Sequence, residues 1–194
     1  MKRILLVTAL LVMVVVSVAS AADAAKKGGM EYWLGAGYSK MLESGSPSGS
    51  LGALVGLNYM MSPSMAIGVM SGYLITGKTD SSATSLKTTS SMIPITGQLT
   101  YFIPGKGFTP YLGAGAGAYM GRTKVTMAGS DTTTSDTQMG FNLGAGFKVP
   151  AGSSMAVGAD VKVHFVRGDK LNDDGTVGKK FYKFLSAVLA VNFK

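Results

Sequence analysis

The sequence predicts an all-β fold: an antiparallel, eight-stranded up-and-down barrel that follows a cleaved signal peptide. Three observations predict it. Apolar residues recur at every second position through about eight segments, the repeat of strands with two unlike faces. The connections between those segments alternate between short and long. Glycine, at 27 residues, is too abundant for a helical protein, and charged residues, at 14%, fall well below the roughly 25% of a soluble domain.

The first element is an address rather than part of the fold. Lys2 and Arg3 precede an apolar stretch from Ile4 to Val16, and small residues follow, with Ala19-Ser20-Ala21 or Ala22-Asp23-Ala24 offering an A-x-A cleavage site. The stretch is shorter than the roughly 20 residues a helix needs to span a bilayer. Residues 1–22 are therefore expected to be a secretory signal, 23–29 a short linker, and 30–194 the barrel. The chain has no cysteine, which removes disulfides, thiolate metal sites and a lipidated cysteine anchor together.

The eight strands are expected at 30–41, 50–60, 64–76, 90–103, 109–126, 137–149, 154–167 and 181–193. Tyr32, Trp33 and Tyr38 bracket the first, and Leu51/Ala53/Val55/Leu57/Tyr59 give the second its apolar face. The third runs to Tyr73. The fourth sets Thr96, Gln98 and Thr100 on its polar parity and contains Pro94, which lacks a ladder donor and is placed near the external rim. Pro110 to Gly117 alternates glycine with larger residues in the fifth. The last three carry Phe141/Leu143/Ala145/Phe147/Val149, Met155 through Phe165, and Leu185/Ala187/Leu189/Val191/Phe193. Short turns fall at 61–63, 104–108 and 150–153; long polar connections are expected at 42–49, 77–89, 127–136 and 168–180. Short turns on one side and long loops on the other are the pattern of a transmembrane barrel, with the long loops outside the cell.

Which face meets lipid follows from where the polar groups lie. Asn58, Asn142, Lys148, Asp160, Lys162, His164 and Asn192 all share the parity that also holds the glycines. A lysine on the lipid face at mid-bilayer costs roughly 2–4 kcal/mol, so the apolar parity faces out and the polar parity faces the lumen. Gly113, Gly115, Gly117, Gly144 and Gly146 are expected to make room for bulkier inward neighbours. The aromatic residues group near both ends of the strands, as two headgroup-level girdles would.

Pro110-Tyr111-Leu112-Gly113-Ala114-Gly115-Ala116-Gly117 and Phe141-Asn142-Leu143-Gly144-Ala145-Gly146-Phe147 resemble strands of the outer-membrane β-barrel domain family that includes the OmpA, OmpX and OmpW types. The resemblance implies a Gram-negative outer-membrane location and delivery by the barrel-assembly machinery. Members usually end in an aromatic residue; here Phe193 is followed by Lys194. It also allows a narrow, porin-like channel for ions or small hydrophobic solutes.

Motifs that resemble chemistry fail on context. Gly72 to Thr79 matches the phosphate-loop pattern letter for letter, but Tyr73 to Thr76 is strand material and no helix start follows. Asn172-Asp173-Asp174-Gly175 lacks the ligand spacing of a calcium loop. The scattered basic residues, for all the net charge of +8, form no phosphate-tracking stripe, so no nucleic-acid partner is expected. Asp160, Lys162 and His164 share one face of one strand, and with Lys148 and Glu31 they are expected to form a lumenal polar network rather than a catalytic group, no serine being recognisable beside the single histidine. Lys78, Lys87, Arg122, Lys124, Arg167, Lys179 and Lys180, with Lys40 and Lys183, are expected at the outer rim, at the height of lipopolysaccharide phosphates. No catalytic residue, cofactor or metal is expected. The function predicted is a monomeric, non-enzymatic outer-membrane protein that stabilises the envelope or presents external loops, in contact with outer-membrane lipid and lipopolysaccharide. A channel and a lipid-modifying enzyme are the alternatives.

Overall fold

A computed structural model describes residues 27–43, 48–81, 86–127, 130–171 and 177–194. The proposed signal segment and Asn172 to Gly175 lie outside the described residues. Eight antiparallel strands follow one another: β1 (Met30–Met41), β2 (Ser50–Ser62), β3 (Met65–Ser81), β4 (Leu86–Phe102), β5 (Thr109–Met127), β6 (Ser130–Pro150), β7 (Met155–Leu171) and β8 (Val177–Phe193). Each pairs with its successor, and β8 pairs with β1 from Tyr32↔Phe193 to Met41↔Phe184, closing the ring. A closed ring leaves no sheet edge in the spanning region, which is how a β-structure satisfies its backbone groups without water.

The alternation of faces follows the sequence. Leu51, Val55, Val69, Ile95, Leu112 and Leu143 stand exposed on the outside, whereas Asn58, Thr96, Asn142, Asp160, Lys162 and His164 are buried inside. Cβ atoms alternate across a strand, so one residue of slippage would put those charges in hydrocarbon. Glycines on the inner parity make space as expected: a Cβ on Gly146 would lie 2.4 Å from the Tyr111 ring, and one on Gly144 would lie 2.5 Å from Lys162. Gly113 is different, since a Cβ there would meet nothing closer than 3.8 Å.

Two expectations are corrected. First, the long connections at 77–89, 127–136 and 168–180 are largely strand. β3 runs on to Ser81, β4 starts at Leu86, β6 starts at Ser130, and β7 and β8 reach Leu171 and Val177. Alternation disappears there because both faces meet water, while ladder hydrogen bonding continues. Second, the aromatics are not all girdle residues. Tyr32, Tyr59, Tyr101, Tyr73 and Phe141 do face outward, but Phe102, Tyr119 and Phe184 are buried inside, and Trp33 and Tyr111 pack against the buried clusters.

Above the spanning region the ring splits. β6 pairs with β7 only as far as Gly140↔Val166, while β5 and β6 stay paired up to Met127↔Ser130. Among the described residues, Ser130–Thr137 of β6 therefore has a partner on one side alone. Pro94 sits opposite Tyr119 of β5 and is fully buried. On its other side the β3–β4 pairs pass from Ser71↔Ile95 to Leu74↔Met92, skipping the proline, as a residue without an N–H requires.

Candidate functional site

The lumen holds three layers, each built by inward positions of several strands. The layer nearest the short turns is polar. Lys148 of β6 reaches Glu31 of β1 at 2.6 Å, Asn58 donates to the other Glu31 oxygen at 3.4 Å, and the Lys148 ammonium lies 4.0 Å from the centre of the Phe102 ring. Lys162 pairs with Asp160, whose second oxygen accepts from the Tyr111 hydroxyl at 2.9 Å. Around these groups remains a cavity of about 40 Å³, room for a few water molecules. Buried charges persist only when paired and hydrogen-bonded, and both pairs meet that condition.

Above them lies an apolar plug. Leu54, Met70, Leu74, Tyr119, Val166, Phe184 and Val188 are each no more than 3% exposed, and Trp33, Met41 and Met92 pack against them. A polar seam threads the plug. Asn142 donates to the Tyr119 hydroxyl at 3.2 Å, that hydroxyl lies 3.2 Å from His164 Nδ1, and His164 Nε2 lies 2.9 Å from Ser186 Oγ. The His164 ring also stacks on Phe184 at 4.3 Å. His164 thus has a serine beside it, contrary to the sequence reading. The register sets Ser186 opposite Lys162 and Phe184 opposite His164, so a diagonal contact links them. His164 and Ser186 are both 0% exposed, and this sealed position offers a substrate no approach.

Of the five residues expected in one lumenal network, Glu31 and Lys148 form one pair, Asp160 and Lys162 another, and His164 belongs to the plug instead. Tyr111, Tyr119, Trp33 and Ser186 were missed. Their inward parity was the available signal.

Above the plug the external sheets enclose an open vestibule of about 280 Å³, with Val166, Phe184 and Met92 at its base and Gln138, Asp136 and Tyr182 in its wall. Around it stand the basic residues. Lys124 pairs with Asp131 at 2.6 Å, Lys180 with Glu43 at 2.7 Å, and Lys179 with Asp169. Lys78, Lys87, Arg122 and Arg167 are exposed and form no ion pair among the described residues.

A closed antiparallel ring with an apolar exterior, a filled interior and external strand extensions defines a small transmembrane β-barrel. The chain belongs to the outer membrane protein beta-barrel domain family, whose model matches residues 8–190. Its fold is similar to that of Neisserial surface protein A, with 17% identity and a TM-score of 0.60 over 85% of this chain and 96% of that one. It is likewise similar to Ail, the attachment invasion locus protein of Yersinia pestis, solved with the heparin analogue sucrose octasulfate, at 14% identity, a TM-score of 0.58, and coverage of 86% and 98%. A major outer membrane protein of Thermus thermophilus matches at 12% identity and a TM-score of 0.55, over 85% and 99%. These likenesses show the fold. A search of curated protein sequences finds no match. The protein is an outer-membrane β-barrel.

Proposed function

We propose that the protein is a closed, non-enzymatic barrel whose task is to hold an interaction surface outside the cell. The observation that carries this reading is the free edge of β6. Ser130–Asp136 is exposed on both faces, and among the described residues the segment to Thr137 is paired to β5 but not to β7. Such an edge offers unpaired backbone groups to an extended segment of another protein, which would bind by strand addition. The filled lumen argues against the channel, and the sealed His164–Ser186 contact argues against the lipid-modifying enzyme.

The test uses the barrel in lipid nanodiscs and an array of extended ten-residue peptides. Binding by strand addition slows exchange of every second amide from Asp131 to Thr137, and proline introduced at those same positions abolishes it. Protection without that period-two pattern, or binding that survives the prolines, would remove the proposal.

The rim supports a second contact, with lipid. Lys78, Lys87, Arg122 and Arg167 keep uncommitted charge where lipopolysaccharide phosphates would lie, whereas Lys124, Lys179 and Lys180 already have acidic partners. Charge reversal of the first four is expected to weaken lipopolysaccharide association, measured by co-purification. Reversal without effect would leave them as solvated strand ends.

A further inference from the structure

We infer that the external vestibule binds a neutral, polyhydroxylated ring about the size of one sugar unit. The site shares Thr134 and Asp136 with the β6 edge but uses their inward side chains rather than the backbone, and it does not depend on strand addition. Its volume, about 280 Å³, sits at the lower end of small-molecule pockets, which admits a single ring and little more.

The surfaces are of two kinds. The base is apolar, Met41 and Met92 lying half-buried over Val166 and Phe184 at the top of the plug, which suits the C–H face of a sugar. Tyr182 adds an aromatic wall, its hydroxyl donating to the Asp169 carbonyl at 2.8 Å so that the ring is held in place. Opposite chemistry lines the β6 side. Gln138 donates to one oxygen of Asp136 at 2.7 Å, which fixes both side chains and leaves the Gln138 carbonyl and the second Asp136 oxygen to accept from ligand hydroxyls. Thr123, half-buried on β5, supplies a further hydroxyl. Stacking against an aromatic face with carboxylate and amide acceptors at the edge is how a protein holds a hydroxylated ring.

Charge selects a neutral ligand. Asp136 is the charged side chain on the inward parity of the vestibule wall among the described residues, whereas Arg122, on the outward parity of β5, lines it with its backbone. Lys180, whose ammonium lies 5.5 Å from the Tyr182 ring centre, is already paired with Glu43. An anion would meet Asp136 and a cation would meet the Lys180 ammonium beside Tyr182, so neither gains.

Methionine methyl groups provide the test. Met41 and Met92 line the vestibule, whereas Met60 is buried in the other cluster, toward the short turns. The barrel, labelled at methionine ε-methyl carbons and placed in nanodiscs free of lipopolysaccharide, is titrated with methyl glucoside, galactoside and mannoside. A second arm uses the isolated core oligosaccharide of lipopolysaccharide, which separates a free sugar from the membrane's own glycan as the source. Saturable shifts of Met92 and Met41 in the millimolar range, with Met60 unmoved, are expected in at least one arm. Tyr182→Ala and Gln138→Ala should each weaken the response several-fold, and glucosamine and glucuronate should bind more weakly than the neutral sugars. The inference is overturned if neither arm moves Met92 saturably, if both variants respond like the parent, or if a charged sugar binds best.

Discussion

Lys148 and Glu31 meet across the barrel interior at 2.6 Å although they are 117 positions apart and lie on strands that are not neighbours in the ring. Their side chains are 12% and 3% exposed, so the pair depends on itself and on Asn58 rather than on solvent. Removing one partner strands the other charge. Lys148→Met or Glu31→Gln is therefore expected to cost about 3 kcal/mol or more, read as a lower urea midpoint for unfolding in lipid. The double variant should cost less than the sum of the two. Additive losses would mean that the two groups do not interact.

The plug predicts electrical silence. The parent barrel should show no steady single-channel conductance in planar bilayers, because the seven residues of the plug fill the lumen. Phe184→Ala is expected to produce small, persistent conductance steps, and Phe184→Ala with Tyr119→Ala larger ones. Each truncation should also cost about 3–5 kcal/mol in stability, so the variants need to be refolded in lipid and checked for heat-modifiable mobility first. Steady conductance in the parent would contradict a sealed plug.

The Ser186–His164–Tyr119 seam is expected to matter for stability and not for chemistry. His164→Ala leaves the buried groups of Ser186 and Tyr119 without a partner and should lower stability by about 1–3 kcal/mol. The acyl-chain composition of lipid A, measured by mass spectrometry, should be identical with the parent, with His164→Ala and without the protein. A change in acylation that requires His164 would restore the enzyme reading.

The external ion pairs set a wide pH plateau. Hydrogen bonds from Lys124 and then Thr126 hold the Asp131 carboxyl below its ordinary value of 3.8. A depressed carboxylate contributes fully above that ordinary value and loses its contribution as pH falls through the lowered one. A hydrogen bond to Glu43 raises Lys180 above 10.5, so its contribution is complete below 10.5 and is lost only at still higher pH. The Lys124–Asp131 pair of the β5–β6 hairpin and the Lys180–Glu43 pair beside it should accordingly both persist from about pH 5 to pH 9. The Asp131 carboxyl carbon, followed by NMR, should titrate with a midpoint below 3.8. A midpoint at or above that value would show that Lys124 is solvated instead.

How much of this was legible depended on where lipid is. In the spanning region alternation gave the faces directly, because Lys162 and Asp160 cannot sit where Val161 and Val163 do. Outside it, Ser130–Thr137 has water on both faces, its residues carry no period, and it reads as a loop. Trp33, Tyr111 and Tyr119 lie on the inward parity of their strands, and parity, not the preference of an aromatic ring for the headgroup level, decides which way a strand residue points. The Ser186–His164 contact needed the β7–β8 register, which depends on the connection between those strands, and the alternation within each strand does not supply it. The vestibule was illegible for the same reason, since it is walled by strand extensions that read as loops.

The seam between the first and last strands has a consequence for how the molecule comes into being. Phe193 stands opposite both Tyr32 and Met155, so the carboxyl-terminal strand is the one that completes the circle. Until it arrives, β1 and β7 are each a raw margin hungry for hydrogen bonds, and the pairing that joins β1 to β8 brings together residues as far apart in sequence as Tyr32 and Phe193. Contacts of such separation form slowly. Closing the circle is therefore expected to be the slow step of folding, and the margins of β1 and β7 are what must not stick to a neighbour before it happens.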